Sequence, residues 1–161
     1  MTIKVGDKLP QSTFRVMTAD GPQARTTDDI FKGRKVVLFA VPGAFTPTCH
    51  KNHLPGFLAK ADEIEAKGID AIAVTSVNDV FVMEAWARAT DSVGKIEFLS
   101  DGNADFAKAI GLSLDGTGFG LGTRSQRYSM VVDDGVVASL AIEDAPGKAD
   151  ISGAEALLKT L

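Results

Sequence analysis

Residues 35–49 read KVVLFAVPGAFTPTC, and their character changes sharply at Pro42. Lys35 to Val41 is a short apolar run rich in β-branched residues, the pattern of a central strand buried on both faces. Pro42 and Gly43 interrupt it. Thr46 is a residue type favoured at helix N-caps, and Pro47 suits the first helical position, where its missing N–H is no loss. A helix starting here places Cys49 in its first turn. Unpaired backbone N–H groups and the positive end of the helix dipole face a side chain so placed, which favours a sulfur as thiolate. In open α/β sheets the same spot, just past the carboxyl end of a parallel strand, is the usual crevice for ligands.

Moving outward, Leu54, Phe57, Leu58, Ala61 and Ile64 recur at helical spacing between about Thr48 and Lys67, and Gly68 supplies a stop. Pro55 is expected to kink that helix near its middle. Ile69 to Val74 reads as a second buried strand, Asp79 to Ala89 as a helix, Ile96 to Leu99 as a strand and Ala104 to Ile110 as a short helix. Tyr128–Val132, Asp134-Gly135 and Val136–Ile142 form a strong hairpin signal. Ser152-Gly153-Ala154-Glu155 has the spacing of a capping box and opens a last helix. The segment before residue 34 is polar and turn-rich, with a hairpin-type turn at Ala19-Asp20-Gly21-Pro22. This order describes an α/β protein, a three-layer α/β/α sandwich. It resembles a thioredoxin fold with an N-terminal extension and an inserted strand–helix, one domain spanning residues 1–161.

Composition narrows the partners. Of 161 residues, 45% are hydrophobic and 24% charged, with a formal net charge of -4, as in an ordinary globular protein. With no basic run, nucleic acid is not an expected partner. No stretch approaches the roughly 20 apolar residues of a membrane span, and no apolar segment near the N-terminus suits a signal peptide, so a cytoplasmic location is expected. Cys49 is the only cysteine, which rules out an intramolecular disulfide and a zinc site built on several thiolates. It is either a small buried hydrophobe or a reactive thiol, and its place at the strand–helix junction favours the second.

The spacing of Pro42, Thr46 and Cys49, P-x-x-x-T-x-x-C, resembles the active-site signature of the peroxiredoxins. The longer string PGAFTPTC, followed by His53-Leu54-Pro55-Gly56-Phe57, is similar to their atypical type-five subfamily of bacteria and plants. The likeness continues through Ser76-Val77-Asn78-Asp79 with Phe81, Val82 and Trp86, and through residues 122–130, GTRSQRYSM. It covers almost the whole chain. It implies a thiol peroxidase for hydrogen peroxide and alkyl hydroperoxides, serving antioxidant defence and redox homeostasis. Cys49 would attack the peroxide; Thr46 Oγ and the Cys49 N–H would bind its oxygens. Arg127 would hold the thiolate and the reacting oxygen, and Pro42 would wall the pocket. Gly43, Phe45, His53, Arg124 and Phe119 are expected around the substrate, with Arg124 in a supporting place. A homodimer is implied, and no cofactor.

Attack on peroxide leaves a sulfenic acid that another thiol must resolve. Asp150-Ile151-Ser152-Gly153 lacks the second cysteine that some relatives carry there. The chain therefore resembles the one-cysteine branch regenerated by glutathione and glutaredoxin, with thioredoxin as the alternative reductant. A dithiol–disulfide oxidoreductase on the same fold would need C-x-x-C, and Thr46 occupies the partner position. A non-catalytic redox-sensing or holdase module is the remaining alternative.

The two histidines, His50 and His53, lie near Cys49, but no further ligand has suitable spacing, so no metal is expected. His53 reads as a pocket-lining residue that tunes the thiol, and His50 as solvated. Residues 116–122, GTGFGLG, lack the G-x-G-x-x-G order and a preceding strand. They read as a flexible loop carrying Arg124 towards the site. Phe45, Phe81, Trp86 and Phe119 suit either core or interface.

Overall fold

The computed structural model describes residues 2–161. Strand β3 (Lys35–Ala40) lies in a seven-stranded sheet ordered β2-β1-β5-β4-β3-β8-β9. Its neighbours are β4 (Ala71–Ser76), parallel, and β8 (Tyr128–Asp133), antiparallel. β5 (Glu97–Ser100) continues the parallel run beyond β4. β9 (Val136–Ile142) closes one edge against β8. At the other edge a hairpin of β1 (Thr13–Thr18) and β2 (Gly21–Thr26) joins β5 through the Arg15–Ser100 pair.

Successive side chains of β3 enter two different cores, because a strand alternates faces. Val36, Leu38 and Ala40 pack with Phe14, Phe106 and Met130 under helices α1 (Thr27–Phe31) and α4 (Asp105–Ala109). Val37 and Phe39 face α2 (Leu54–Glu65), α3 (Val80–Ala89) and α5 (Ala154–Leu158) through Phe57, Ile64, Met83, Trp86 and Leu157. Burial on both faces explains why the run is apolar without alternation. The three layers and the element order are those of the thioredoxin fold with its added N-terminal hairpin.

Several local readings hold. Ala19 and Asp20 form the β1–β2 turn. Asp134 and Gly135 both have positive φ, 49° and 82°, as a two-residue hairpin of the primed type requires. Asp79 caps α3 by accepting the Val82 N–H at 2.8 Å. The N-terminal extension is more regular than its polar composition suggests. Thr26 and Asp29 form a reciprocal capping box at the start of α1.

Two readings are corrected. The irregularity that accompanies Pro55 lies on its N-terminal side rather than at the middle of the helix. Helical structure begins at Pro47, widens into a π turn over Cys49–His53, and becomes α2 only at Leu54, so Pro55 lies in the first turn of α2. A proline ring clashes with the carbonyl four residues back in a regular helix, and the wider turn relieves this. Nor does Ser152 cap α5. Gly153 takes that position, where an added Cβ would lie 2.8 Å from the Ala149 carbonyl oxygen. Both the N–H and the hydroxyl of Ser152 are taken by the buried Glu143 instead. Residues 116–122, for their part, are not an open loop. They turn the ribbon of β6 (Ser113–Asp115) and β7 (Thr123–Ser125), with the Gly116 N–H donating to Gly122 O at 2.7 Å.

Candidate active site

Cys49 lies past the carboxyl end of β3 and is fully buried. Arg127 immediately precedes β8, whose first residue, Tyr128, pairs with Ala40 at the end of β3. That register brings the arginine to the cysteine, and Arg127 Nη2 donates to Cys49 Sγ at 2.9 Å. The guanidinium, only 2% exposed, has two further anchors. Nε donates to Pro146 O at 3.0 Å, and Nη1 to His53 Nδ1 at 2.9 Å.

The tautomer of His53 follows from its partners. Ser152 O, 2.9 Å from Nε2, can only accept, and Arg127 can only donate. His53 is therefore neutral, with its proton on Nε2. Burial pushes its pKa down to about 3, the bond to Ser152 opposes this, and the Arg127 cation lowers it further. The imidazole thus serves as an acceptor for Arg127 rather than as a second cation. The stacked pair Phe39–Phe57 packs against it, with ring centroids 5.0 and 5.5 Å from the imidazole.

Thr46 stands at the helix start, and its carbonyl accepts the His50 N–H at 2.8 Å. Its hydroxyl does not act as the expected cap acceptor; it donates to Gly43 O at 2.7 Å. With its hydrogen committed, the Thr46 oxygen is left to accept from a molecule in the site. Pro42 and Gly43 are buried. A Cβ at Gly43 would stand 3.0 Å from Thr46 Cγ2 and 3.1 Å from Arg124 Nη1, so glycine leaves room for both neighbours. Arg124 lies on β7, donates through Nε to Leu121 O at 2.9 Å, and reaches the carbonyls of Pro42 and Val77 at 3.5 Å.

One reading of the aromatic surroundings changes. His50 is not free in solvent: it is half-buried, and its Nδ1 accepts the Trp86 indole N–H at 3.0 Å. Phe45, with φ 65°, stacks on the His50 ring. Phe119 stands at the ribbon tip, 87% exposed, with its N–H donating to Gly116 O at 3.0 Å. Among the described residues, no group of three His, Cys, Asp or Glu is arranged to hold a metal ion.

The sequence reading did not single out Glu143, Ser152 as a partner of His53, or the carbonyl of Pro146. They lie on the segment after β9, and nothing in their local pattern connects them to Cys49. Asn78 lay in a quoted motif without a role. Its Oδ1 accepts the Ala44 N–H at 3.0 Å and the Ser76 hydroxyl at 2.6 Å, tying the Pro42–Thr46 turn to the end of β4.

A sulfur held against a buried cation, beside a hydroxyl free to accept, is placed to attack a small electrophile. Comparison with known proteins agrees. The Redoxin family model matches residues 4–158. Peroxiredoxin-2E-2, chloroplastic, of Oryza sativa subsp. japonica is 50% identical over 99% of this chain and 73% of its own length. The hybrid peroxiredoxin hyPrx5 of Haemophilus influenzae is 41% identical over 100% of this chain and 67% of its own. Among solved structures, reduced Prx3 of Vibrio vulnificus, in complex with hydrogen peroxide, superposes with a TM-score of 0.94 at 49% identity, covering 99% of each chain. The chain belongs to the peroxiredoxins of the Redoxin family, enzymes that reduce peroxide at a cysteine with a thiol as reductant.

Proposed function

We propose that this peroxiredoxin reduces hydrogen peroxide and small alkyl hydroperoxides at Cys49 and is regenerated by glutathione and glutaredoxin. The observation that carries the reading is the 2.9 Å contact between Arg127 Nη2 and Cys49 Sγ, both buried. The thiolate attacks one peroxide oxygen, forming the S–O bond as the O–O bond breaks. The departing oxygen leaves with the electron pair and takes up a proton, giving water or an alcohol. Arg127 faces the charge developing in that step, where a fixed cationic donor stabilises the transition state more than the ground state. Thr46 Oγ1 accepts from the peroxide O–H, and Pro42 and Gly43 bound the space. Full burial of Cys49 favours small oxidants.

The product is a sulfenic acid with no second cysteine to meet it. A glutathione thiolate attacks the sulfur, the oxygen leaves as water, and a mixed disulfide forms. A second thiol, from glutaredoxin, then attacks the glutathione sulfur and frees Cys49. A lone cysteine recycled in this way needs a reducing compartment, so a cytoplasmic location belongs to the same proposal. The exposed rings of Phe45, Phe81 and Phe119 support a homodimer, which sedimentation at micromolar concentration checks.

Mass spectrometry after peroxide plus glutathione tests the cycle, with one glutathione adduct per chain expected. Sustained turnover with thioredoxin, and none with glutathione and glutaredoxin, would overturn the reductant while leaving peroxide reduction intact.

A further inference from the structure

The segment from Glu143 to Gly153 crosses over the site and is tied to it repeatedly. Thr48 Oγ1 donates to Gly147 O at 3.1 Å, Arg127 Nε to Pro146 O at 3.0 Å, and His53 Nε2 to Ser152 O at 2.9 Å. The segment is also clasped across its own ends. Glu143 Oε2 accepts both the backbone N–H and the hydroxyl of Ser152, each at 2.7 Å. At its base the Glu143 N–H donates to the carbonyl of Arg127 at 2.9 Å.

We propose that Glu143 is a positioning residue for peroxide reduction: by clamping Ser152 it fixes the carbonyl that orients His53, and His53 holds Arg127 against Cys49. Apart from the sulfur, the guanidinium has two anchors, Pro146 O and His53 Nδ1. The first lies on the clasped segment, and the second is held by it through Ser152 O. If Ser152 shifts, the Nε2 proton of His53 loses its acceptor. A ring that turns or changes tautomer then presents an N–H to Arg127, donor against donor. Glu143 is 7% exposed and Ser152 fully buried, so water is poorly placed to replace a lost partner. Among the described residues Glu143 makes no ion pair with Arg127; its part is that of an acceptor.

The inference rests on the peroxidase reading, and stopped-flow oxidation by hydrogen peroxide separates the two. Glu143→Ala is expected to slow oxidation of Cys49 by about tenfold or more, whereas Glu143→Gln, whose amide oxygen accepts the same two donors, stays within about threefold of wild type. Alkylation of Cys49 by iodoacetamide should not quicken in either variant, because the site is misaligned rather than opened. Wild-type oxidation by Glu143→Ala would overturn the inference. So would equal slowing in Glu143→Gln, or slow oxidation accompanied by faster alkylation, which marks general loosening. If Glu143→Ala does not fold, Ser152→Ala removes the clasp hydroxyl alone, and oxidation at the wild-type rate there would overturn the proposal equally. Failure of the unmodified chain to react with peroxide would overturn the peroxidase reading and this inference with it.

Discussion

Arg127 Nη2 donates to Cys49 Sγ over 2.9 Å although the two residues lie 78 positions apart. The contact exists because β8 runs antiparallel to β3, so the start of one meets the end of the other. Both groups are buried, and the attraction between a cation and a thiolate is stronger there than in water.

Replacing Arg127 should therefore hurt more than replacing Arg124. Arg127→Gln removes a charged donor that faces the reacting sulfur, a loss of about 3 kcal/mol of transition-state stabilisation, or about a hundredfold in oxidation rate. Arg124 touches backbone carbonyls near Pro42 and no sulfur, so Arg124→Gln should cost less. Stopped-flow oxidation of the two variants compares them, and the reverse order would count against the assigned roles.

Cys49→Ser should fold and be inactive. The hydroxyl is close in size to the thiol and still offers Arg127 an acceptor, so unfolding free energy should stay within about 1.5 kcal/mol of wild type. Serine is not ionised near neutral pH, and peroxide consumption should vanish. Circular dichroism with a peroxide assay checks both halves.

Gly43→Ala tests the turn before the cysteine. The new methyl would press on Thr46 Cγ2 and Arg124 Nη1, at 3.0 and 3.1 Å. Gly43 does not occupy the positive-φ region, so space rather than backbone strain is at issue. Displacing these neighbours should slow oxidation by about tenfold, equivalent to about 1.4 kcal/mol. Unimpaired oxidation would mean that the turn adjusts freely.

His53 makes folding stability depend on pH. Its pKa falls from 6.5 to about 3 in the folded chain, so between these values the unfolded chain binds the extra proton. The neutral buried form contributes its full share above about pH 6.5 and loses it as pH falls towards 3. By about pH 4.5 the loss should reach roughly 2–3 kcal/mol. Urea midpoints near pH 7 and pH 4.5, compared with His53→Gln, isolate this contribution from the carboxylates. A variant with the same pH sensitivity as wild type would contradict it.

Elements governed by near neighbours were legible in the chain itself. The β-branched run 35–41, the Asp134-Gly135 turn and the start of helix at Pro47 depend on residues a few positions apart, and each falls close to its expected place. The misreadings share one cause. Ser152 carries the spacing of a helix cap, but Glu143 supplies a buried acceptor that nothing local reveals. His50 looks like a surface histidine until α3 brings the Trp86 indole against it. Residues 116–122 look like a loose loop until β6 and β7 pair on either side of them.

Sequence alone singled out Cys49, the absence of a second cysteine and the strand–helix junction that presents the sulfur, because these follow from composition and short-range geometry. The tertiary structure decided which groups surround that sulfur. Arg127 finds His53 across 74 positions and His53 finds Ser152 across 99. Hydrogen-bond partners that far apart are selected by sheet order and by burial, which removes water as a competitor, and neither is written in any short stretch of the chain.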